Sequence, residues 1–263
     1  RCWLFTGLNV FRAKMIDKYK LPEFEFSQNY NFFYDQLEKA NLFLQGVIDT
    51  RQKPMSDQMV EWLFKNPLSD GGQFTGISDI IGKYGVVPKE VMNETFASNN
   101  TSQMAYLLKL KLREYGLQLR ELPVQTDMED IKRIKTEMLG TVYRMLVLNL
   151  GEPPLEFTWT RRDINGKPVE TKQYTPKSFY NEYIGKDLTN GYVMLMNDPT
   201  REYYKLYEID YDRHMYDGYN WRYVNLPVED IKKMAIASIK DSTAMYFSCD
   251  VTKFLNRDKG TLD

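Results

Sequence analysis

The sequence predicts an α+β fold, with helices first and strands after. Three observations carry this expectation. Apolar residues recur at helical spacing from residue 2 to about residue 149. Gly151-Glu152-Pro153-Pro154 then interrupts the pattern, and the composition shifts toward Tyr, Thr and Val. Leu155-Glu156-Phe157-Thr158-Trp159-Thr160 alternates as a strand does, and Asn165-Gly166 is a hairpin turn signal. Helices gathered ahead of strands point to α+β.

The first helix begins at Cys2. Leu4, Leu8, Phe11 and Met15 mark one face, and Trp3, Phe5, Val10 and Ile16 cover much of the rest, so it is expected to be buried nearly all round. Leu21-Pro22 breaks it. Ser27 is a plausible N-cap for a second helix, with Tyr30, Phe33, Leu37, Ala40, Leu44 and Val47 as its stripe. Met59, Trp62 and Leu63 give a short helix ending before Asn66-Pro67. Asp70-Gly71-Gly72-Gln73 is a turn. Phe74, Ile77, Ile81 and Tyr84 form the next helical face, stopped at Gly85.

Residues 100–149 predict a helical pair split at Pro123. Its faces are Met104, Leu108, Lys111, Tyr115 and Leu119, with Lys111 on the edge of the first, then Met128, Ile131, Lys135, Met138, Val142 and Met145. Beyond the hairpin, Thr175-Pro176 opens a short helix, with threonine as cap and proline at the first helical position, and Gly185 closes it. Tyr192–Met196, Lys205–Ile209 and Tyr219–Val224 read as strands. Pro227 starts a helix through Ile231, Met234 and Ala235, and Thr243–Cys249 reads as a buried strand. The expected organisation is a helical domain over 1–99, a helical insertion over 100–150 and a β-rich domain over 151–263.

Composition narrows the function. At 263 residues and 43% hydrophobic content the chain has ample material for a core. With 35 basic and 36 acidic residues, a net charge of −1 gives no global attraction to nucleic acid or anionic lipid. No run approaches the roughly 18 apolar residues of a membrane span. Two cysteines, Cys2 and Cys249, do not make a disulfide scaffold, and a reducing, cytoplasmic setting is the simpler reading. The chain opens at Arg1 inside a strong helix, which points to a piece of a longer protein.

Cys2 stands at the first turn of its helix, where unpaired N–H groups and the helix dipole favour the nucleophilic thiolate. A buried structural cysteine is the alternative reading of the residue alone.

An ordered set of segments carries a resemblance. Arg1-Cys2-Trp3-Leu4-Phe5 is followed by Glu25-Phe26-Ser27-Gln28, Phe32-Phe33-Tyr34-Asp35, Lys39-Ala40-Asn41, Asp70-Gly71-Gly72-Gln73, Asn197-Asp198-Pro199 and Cys249-Asp250-Val251. This set resembles the papain-like cysteine peptidases, in the branch of bleomycin hydrolase and bacterial aminopeptidase C. The resemblance implies a papain-like fold with Cys2 as nucleophile and its backbone N–H as half of an oxyanion hole. It implies Gly71-Gly72 as a bare ledge on which an extended peptide lies. Gln73 and, more loosely, Ser248 would line the pocket for the second substrate residue. It further implies a thiol aminopeptidase acting on peptide substrates, without cofactor or metal, assembled as a homohexamer.

The sequence also departs from the family. The family's catalytic histidine and asparagine come late, in Thr-His-Ala and Asn-Ser-Trp-Gly segments, and neither segment is present. The single histidine, His214, has polar, turn-like neighbours and reads as a surface or interface residue. The family's oxyanion glutamine falls ahead of residue 1. The chain by itself is therefore expected to be inactive, and the alternative function is a non-catalytic peptide-binding or scaffold piece. Nucleic-acid binding is disfavoured by the charge balance.

Overall fold

The computed structural model describes residues 1–185, 188, 191–249, 251 and 255–262. Its first two helices, α1 (Cys2–Tyr19) and α2 (Gln28–Asp49), pack against each other, and α2 becomes the central rod. Ser27 caps α2 as expected: its Oγ accepts the Tyr30 N–H at 3.1 Å and donates to the Met92 carbonyl at 2.6 Å. α3 (Gln58–Lys65) is capped by Asp57, and α4 (Phe74–Tyr84) follows the glycine turn. A single 3₁₀ turn (Lys89–Val91) and the short α5 (Phe96–Asn99) lead to the helical pair α6 (Ser102–Glu121) and α7 (Met128–Leu150). Both members of the pair pack on α2.

The pair departs from the predicted faces on both helices. Leu112, not Lys111, is fully buried on α6, and Lys111 instead pairs with Glu114 at the surface. Along α7, Ile131, Met138, Val142, Leu146 and Leu150 face inward, while Met128 is half exposed. The inward faces of α1 to α4, α6 and α7 share one apolar core with β1 (Phe157–Arg162), the last residue of β2 (Pro168–Tyr174) and α8 (Pro176–Tyr183).

The hairpin β1–β2 is antiparallel and carries the expected Asn165-Gly166 turn, with Gly166 at φ 79°. The Asp163 carboxylate accepts the N–H groups of Asn165 and Lys167, both at 2.9 Å, and so fixes the turn. α8 has the Thr175–Ser178 capping box and proline in its first turn. A three-stranded sheet follows in the order β3–β5–β4. Here β3 (Leu195–Met196) runs parallel to β5 (Trp221–Asn225), and β4 (Lys205–Ile209) runs antiparallel to it. α9 (Val228–Lys240) and a two-stranded ribbon, β6 (Leu255–Asn256) with β7 (Thr261–Leu262), close the order. Among the described residues, no helix is long and apolar enough to cross a membrane.

Two expectations are corrected. α1 is not buried nearly all round: Trp3, Leu4, Leu8, Phe11 and Met15 are, but Cys2 and Phe5 lie on an exposed side. Thr243–Cys249 is not a buried strand. No described strand pairs with it, and an unpaired segment exposes its backbone to water. Cys249 is accordingly exposed.

Buried polar residues of α2 fix the ends of its neighbours. The Asn29 amide donates to the carbonyls of Asn93 (2.8 Å) and Leu150 (2.7 Å), the last residue of α7. The Asn31 amide donates to the Gly85 carbonyl at 3.0 Å, and the Tyr30 hydroxyl to that of Tyr84 at 2.8 Å. Helix C-termini leave carbonyls without intrahelical donors, and α2 supplies the donors. Gly85, at φ 78° and ψ −160°, stops α4 where α8 begins, and a Cβ there would strike the Pro176 carbonyl. That backbone region is essentially closed to other residues. Gly85→Ala is therefore expected to lower stability by about 3 kcal/mol, from strain of this order, read as a reduced urea midpoint with an unchanged slope.

Candidate active site

The site is built from the inside out, beginning with Asp35 and Lys39 one turn apart on α2. Both are buried, with Asp35 Oδ2 and Lys39 Nζ 2.9 Å apart. Burial opposes the Asp35 charge, but the Lys39 ammonium and a hydrogen bond from His214 outweigh it and hold the carboxyl below its usual range. Lys39 Nζ donates further to the carbonyls of Ser69 (3.0 Å) and Gly71 (2.7 Å). Gln36 Nε2 reaches Ser69 O at 3.2 Å and Asp35 Oδ2 at 3.0 Å. The Trp3 indole N–H donates to the carbonyl between them, that of Asp70, at 2.6 Å. Three successive carbonyls of the loop before α4 are thus turned inward and held.

Trp3 joins this loop to the start of α1. It follows Cys2 directly on α1, and the Lys39 ammonium lies 5.1 Å from its ring centroid. Cys2 is exposed on the first turn of α1, and the fully buried Leu4 and Leu8 anchor the inner face of that helix.

The two glycines of the ledge have different surroundings. Gly71 is exposed, and a Cβ there would meet nothing within 4 Å. At Gly72 a Cβ would collide with the His214 ring, 2.6 Å from Nε2, and with Trp3 Cδ2 at 2.9 Å. Gly72 is therefore required by packing from within, while Gly71 is bare toward solvent. Gln73 is the N-cap of α4, half buried, with no capping bond from its side chain. Gly71, Gly72 and Gln73 together border a groove of about 880 Å³. Its far wall is apolar, formed by Met59, Leu63 and the edge-to-face pair Trp62–Tyr211, whose centroids are 5.8 Å apart.

Ser248 is not drawn into that groove. It is exposed, two residues beyond Tyr246, whose ring packs on Phe74 at 5.8 Å. Asp250, part of the Cys249-Asp250-Val251 segment, lies outside the described residues.

His214 is corrected most. It is buried, not at the surface, with 5% of its area exposed. Its Nδ1 lies 2.6 Å from Asp35 Oδ1, and its ring meets Trp3 edge-on at 4.8 Å. Burial first, and the neighbouring Lys39 ammonium second, hold the imidazole pKa below its ordinary value against the pull of Asp35. The ring is therefore neutral at pH 7, with Nδ1–H donating to the carboxylate. Sequence reasoning quoted Asp35 and Lys39 only as parts of a resemblance and gave neither a role. The available signal was an acid and a lysine at i, i+4 among aromatic residues, which on a helix buried nearly all round must pair.

The fold and this site define a papain-like cysteine-peptidase scaffold. The Peptidase C1-like family matches residues 1–263, and the chain belongs to that family. It is 39% identical over 265 residues to aminopeptidase C of Listeria monocytogenes, covering all of this chain and 59% of that protein. It is 40% identical over 263 residues to aminopeptidase G of Lactobacillus delbrueckii subsp. lactis (100% and 60%) and 38% over 270 residues to human bleomycin hydrolase (100% and 59%). The crystal structure of pepw from Lactobacillus rhamnosis HN001 superposes with a TM-score of 0.93 at 35% identity, covering 98% of this chain and 58% of the other. The chain thus spans about three-fifths of the length of these relatives.

The glycine pair provides a test. Gly72→Ala should cost about 2 kcal/mol or more, because overpacking a filled interior costs roughly 1–3. Gly71→Ala should stay within about 0.5 kcal/mol of the parent chain, as open surface positions do. Chemical denaturation of the two variants checks the contrast.

Proposed function

We propose that this chain is the nucleophile-bearing part of a thiol aminopeptidase that removes residues from peptide N-termini. The observation that carries the reading is an exposed Cys2 at a helix start, tied through Trp3 to an inward-braced glycine ledge beside a groove. The names of the relatives, aminopeptidase C and bleomycin hydrolase, support it.

In this reading the Cys2 thiolate attacks the carbonyl of the bound residue. The C–S bond forms, the peptide nitrogen leaves with a proton from a general acid, and water then releases the acyl group. The Cys2 N–H, without an intrahelical acceptor at the first turn, stabilises the oxyanion. Gly71 leaves the main chain bare for strand-like pairing with substrate, and Gln73 lines the groove beside it. Ser248 joins the pocket only if its segment packs against that groove.

His214 is not the general base of this reading. It is buried and committed to Asp35. As the chain's single histidine, it leaves the base to be supplied from outside these 263 residues. The helical domain 1–99, insertion 100–150 and β-rich domain 151–263 are proposed as the parts of one subunit in a hexamer. The two free cysteines fit a reducing, cytoplasmic setting. The alternative, a non-catalytic peptide-binding piece, is favoured for the isolated chain by the commitment of His214, since turnover needs a base.

Cys2 and Cys249 are both exposed, so their reactivities can be compared directly. A dipeptidyl vinyl sulfone is expected to modify Cys2 at least about tenfold faster than Cys249, with no turnover of aminoacyl fluorogenic substrates by the chain alone. In a full-length protein containing this chain, Cys2→Ala should abolish aminopeptidase turnover, by at least about 1,000-fold. Equal labelling of the two thiols, or turnover that survives Cys2→Ala, overturns the reading.

A further inference from the structure

His214 touches α1, α2, the ledge and α4. It lies between β4 and β5 and reaches back onto three helices. From α2, Asp35 bonds its Nδ1; from α1, Trp3 meets its edge. From the ledge and the first turn of α4, Gly72 and Gly76 both lack a Cβ where the ring sits: at Gly76 such an atom would overlap the imidazole as it would at Gly72. Two glycines four residues apart, one just before the cap of α4 and one in its first turn, thus make a slot for one ring. The ring fills the slot beneath the ledge and braces it against the residue that follows Cys2.

We propose that His214 is a positioning residue for the peptidase reaction, its neutral ring setting the height of the glycine ledge over the start of α1, and its protonation loosening that ledge. The proposal rests on the peptidase reading of the site. His214 acts through Gly72 and Trp3, so its loss weakens engagement of an extended peptide without removing the thiol.

The charged groups acting on the ring are Asp35 and Lys39 of α2 and Asp212, two residues before it in its own loop. The contacts from α1 and the ledge, Trp3, Gly72 and Gly76, carry no charge. Further along α4, Asp79 anchors the other end of the same loop. Its Oδ2 accepts the Tyr219 N–H at 2.9 Å, and burial pushes its pKa up to about 6. Protonating His214 places a second cation against Lys39 in a dry slot. The sign follows from the lowered value of the imidazole. Its contribution to stability is full above the ordinary histidine value of about 6.5 and is lost as the pH falls from there through the lowered one.

The experiment compares two thiol reagents on Cys2. A dipeptidyl vinyl sulfone must engage the ledge, whereas iodoacetamide need not. Their rate ratio cancels the thiolate fraction, which both share. In the parent chain the ratio is expected to fall at least threefold as the pH is lowered through the imidazole titration that NMR reports. His214→Ala should lower it about tenfold at pH 7.5. His214→Asn keeps an N–H for Asp35 but cannot titrate, so it should restore the ratio and leave only the shallower pH dependence due to Asp79. The single histidine also gives one imidazole signal by NMR, and the Trp3 indole and Gly72 amide should shift with it.

A ratio that is independent of pH in the parent chain, or identical in His214→Asn and the parent at every pH, overturns the inference. If Cys2 takes no peptidyl probe at all, the peptidase reading fails instead. The brace is then read from the NMR titration alone, and Trp3 and Gly72 signals that ignore the imidazole overturn it. Should His214→Ala not fold, the Asn variant and the parent titration decide.

Discussion

The site depends on one buried ion pair. Asp35 and Lys39 sit at i, i+4 on a helix that is buried along most of its length. Removing two charges from water costs several kcal/mol per ion, and their attraction offsets that only when the remaining polar valences are filled. Here they are filled. Asp35 receives Lys39, Gln36 and His214, and Lys39 is shared among Asp35 and the carbonyls of Ser69 and Gly71. The second set of partners turns a local pair into a site, because those carbonyls belong to the loop that presents the ledge.

The same logic explains why α2, and not α1, organises this region. Asn29, Tyr30 and Asn31 donate to the closing carbonyls of α7 and α4, and Gln36 and Lys39 do so for the loop after α3. A helix C-terminus buried without donors would leave polar groups dry. α1 is anchored more simply, by an apolar inner face and by the Trp3 indole N–H. Its outer side stays open at Cys2.

Much of this was legible in sequence because it is local. The Ser27 cap, the stop at Gly85, the Thr175-Pro176 start and the Asn165-Gly166 turn each follow from residues a few positions apart, and each is found where expected. The misses are non-local. Thr243–Cys249 has a strand's composition, but a strand also needs a neighbour to fill its backbone valences. His214 read as a surface residue because its sequence neighbours are polar, yet its partner Asp35 stands 179 positions away. The glycine pair was legible as a pair. That Gly71 faces open space and Gly72 faces an imidazole was not, since the difference is made by that distant ring.

The site can therefore be followed as a chain of requirements running inward from the surface. A bare ledge leaves three loop carbonyls pointing away from any peptide, and they need donors. Lys39 and Trp3 supply most of them, and a buried ammonium then needs a carboxylate. Asp35 supplies that, and its second oxygen needs a donor in turn. An apolar side chain at 214 would fill the slot between Gly72 and Gly76 about as well as an imidazole, but it would leave Asp35 Oδ1 unpaired in a dry site. The imidazole meets both demands, filling the slot with its ring and closing the carboxylate with Nδ1. Along this chain of contacts each polar group is explained by the one outside it, and the outermost is the Gly71-Gly72 main chain.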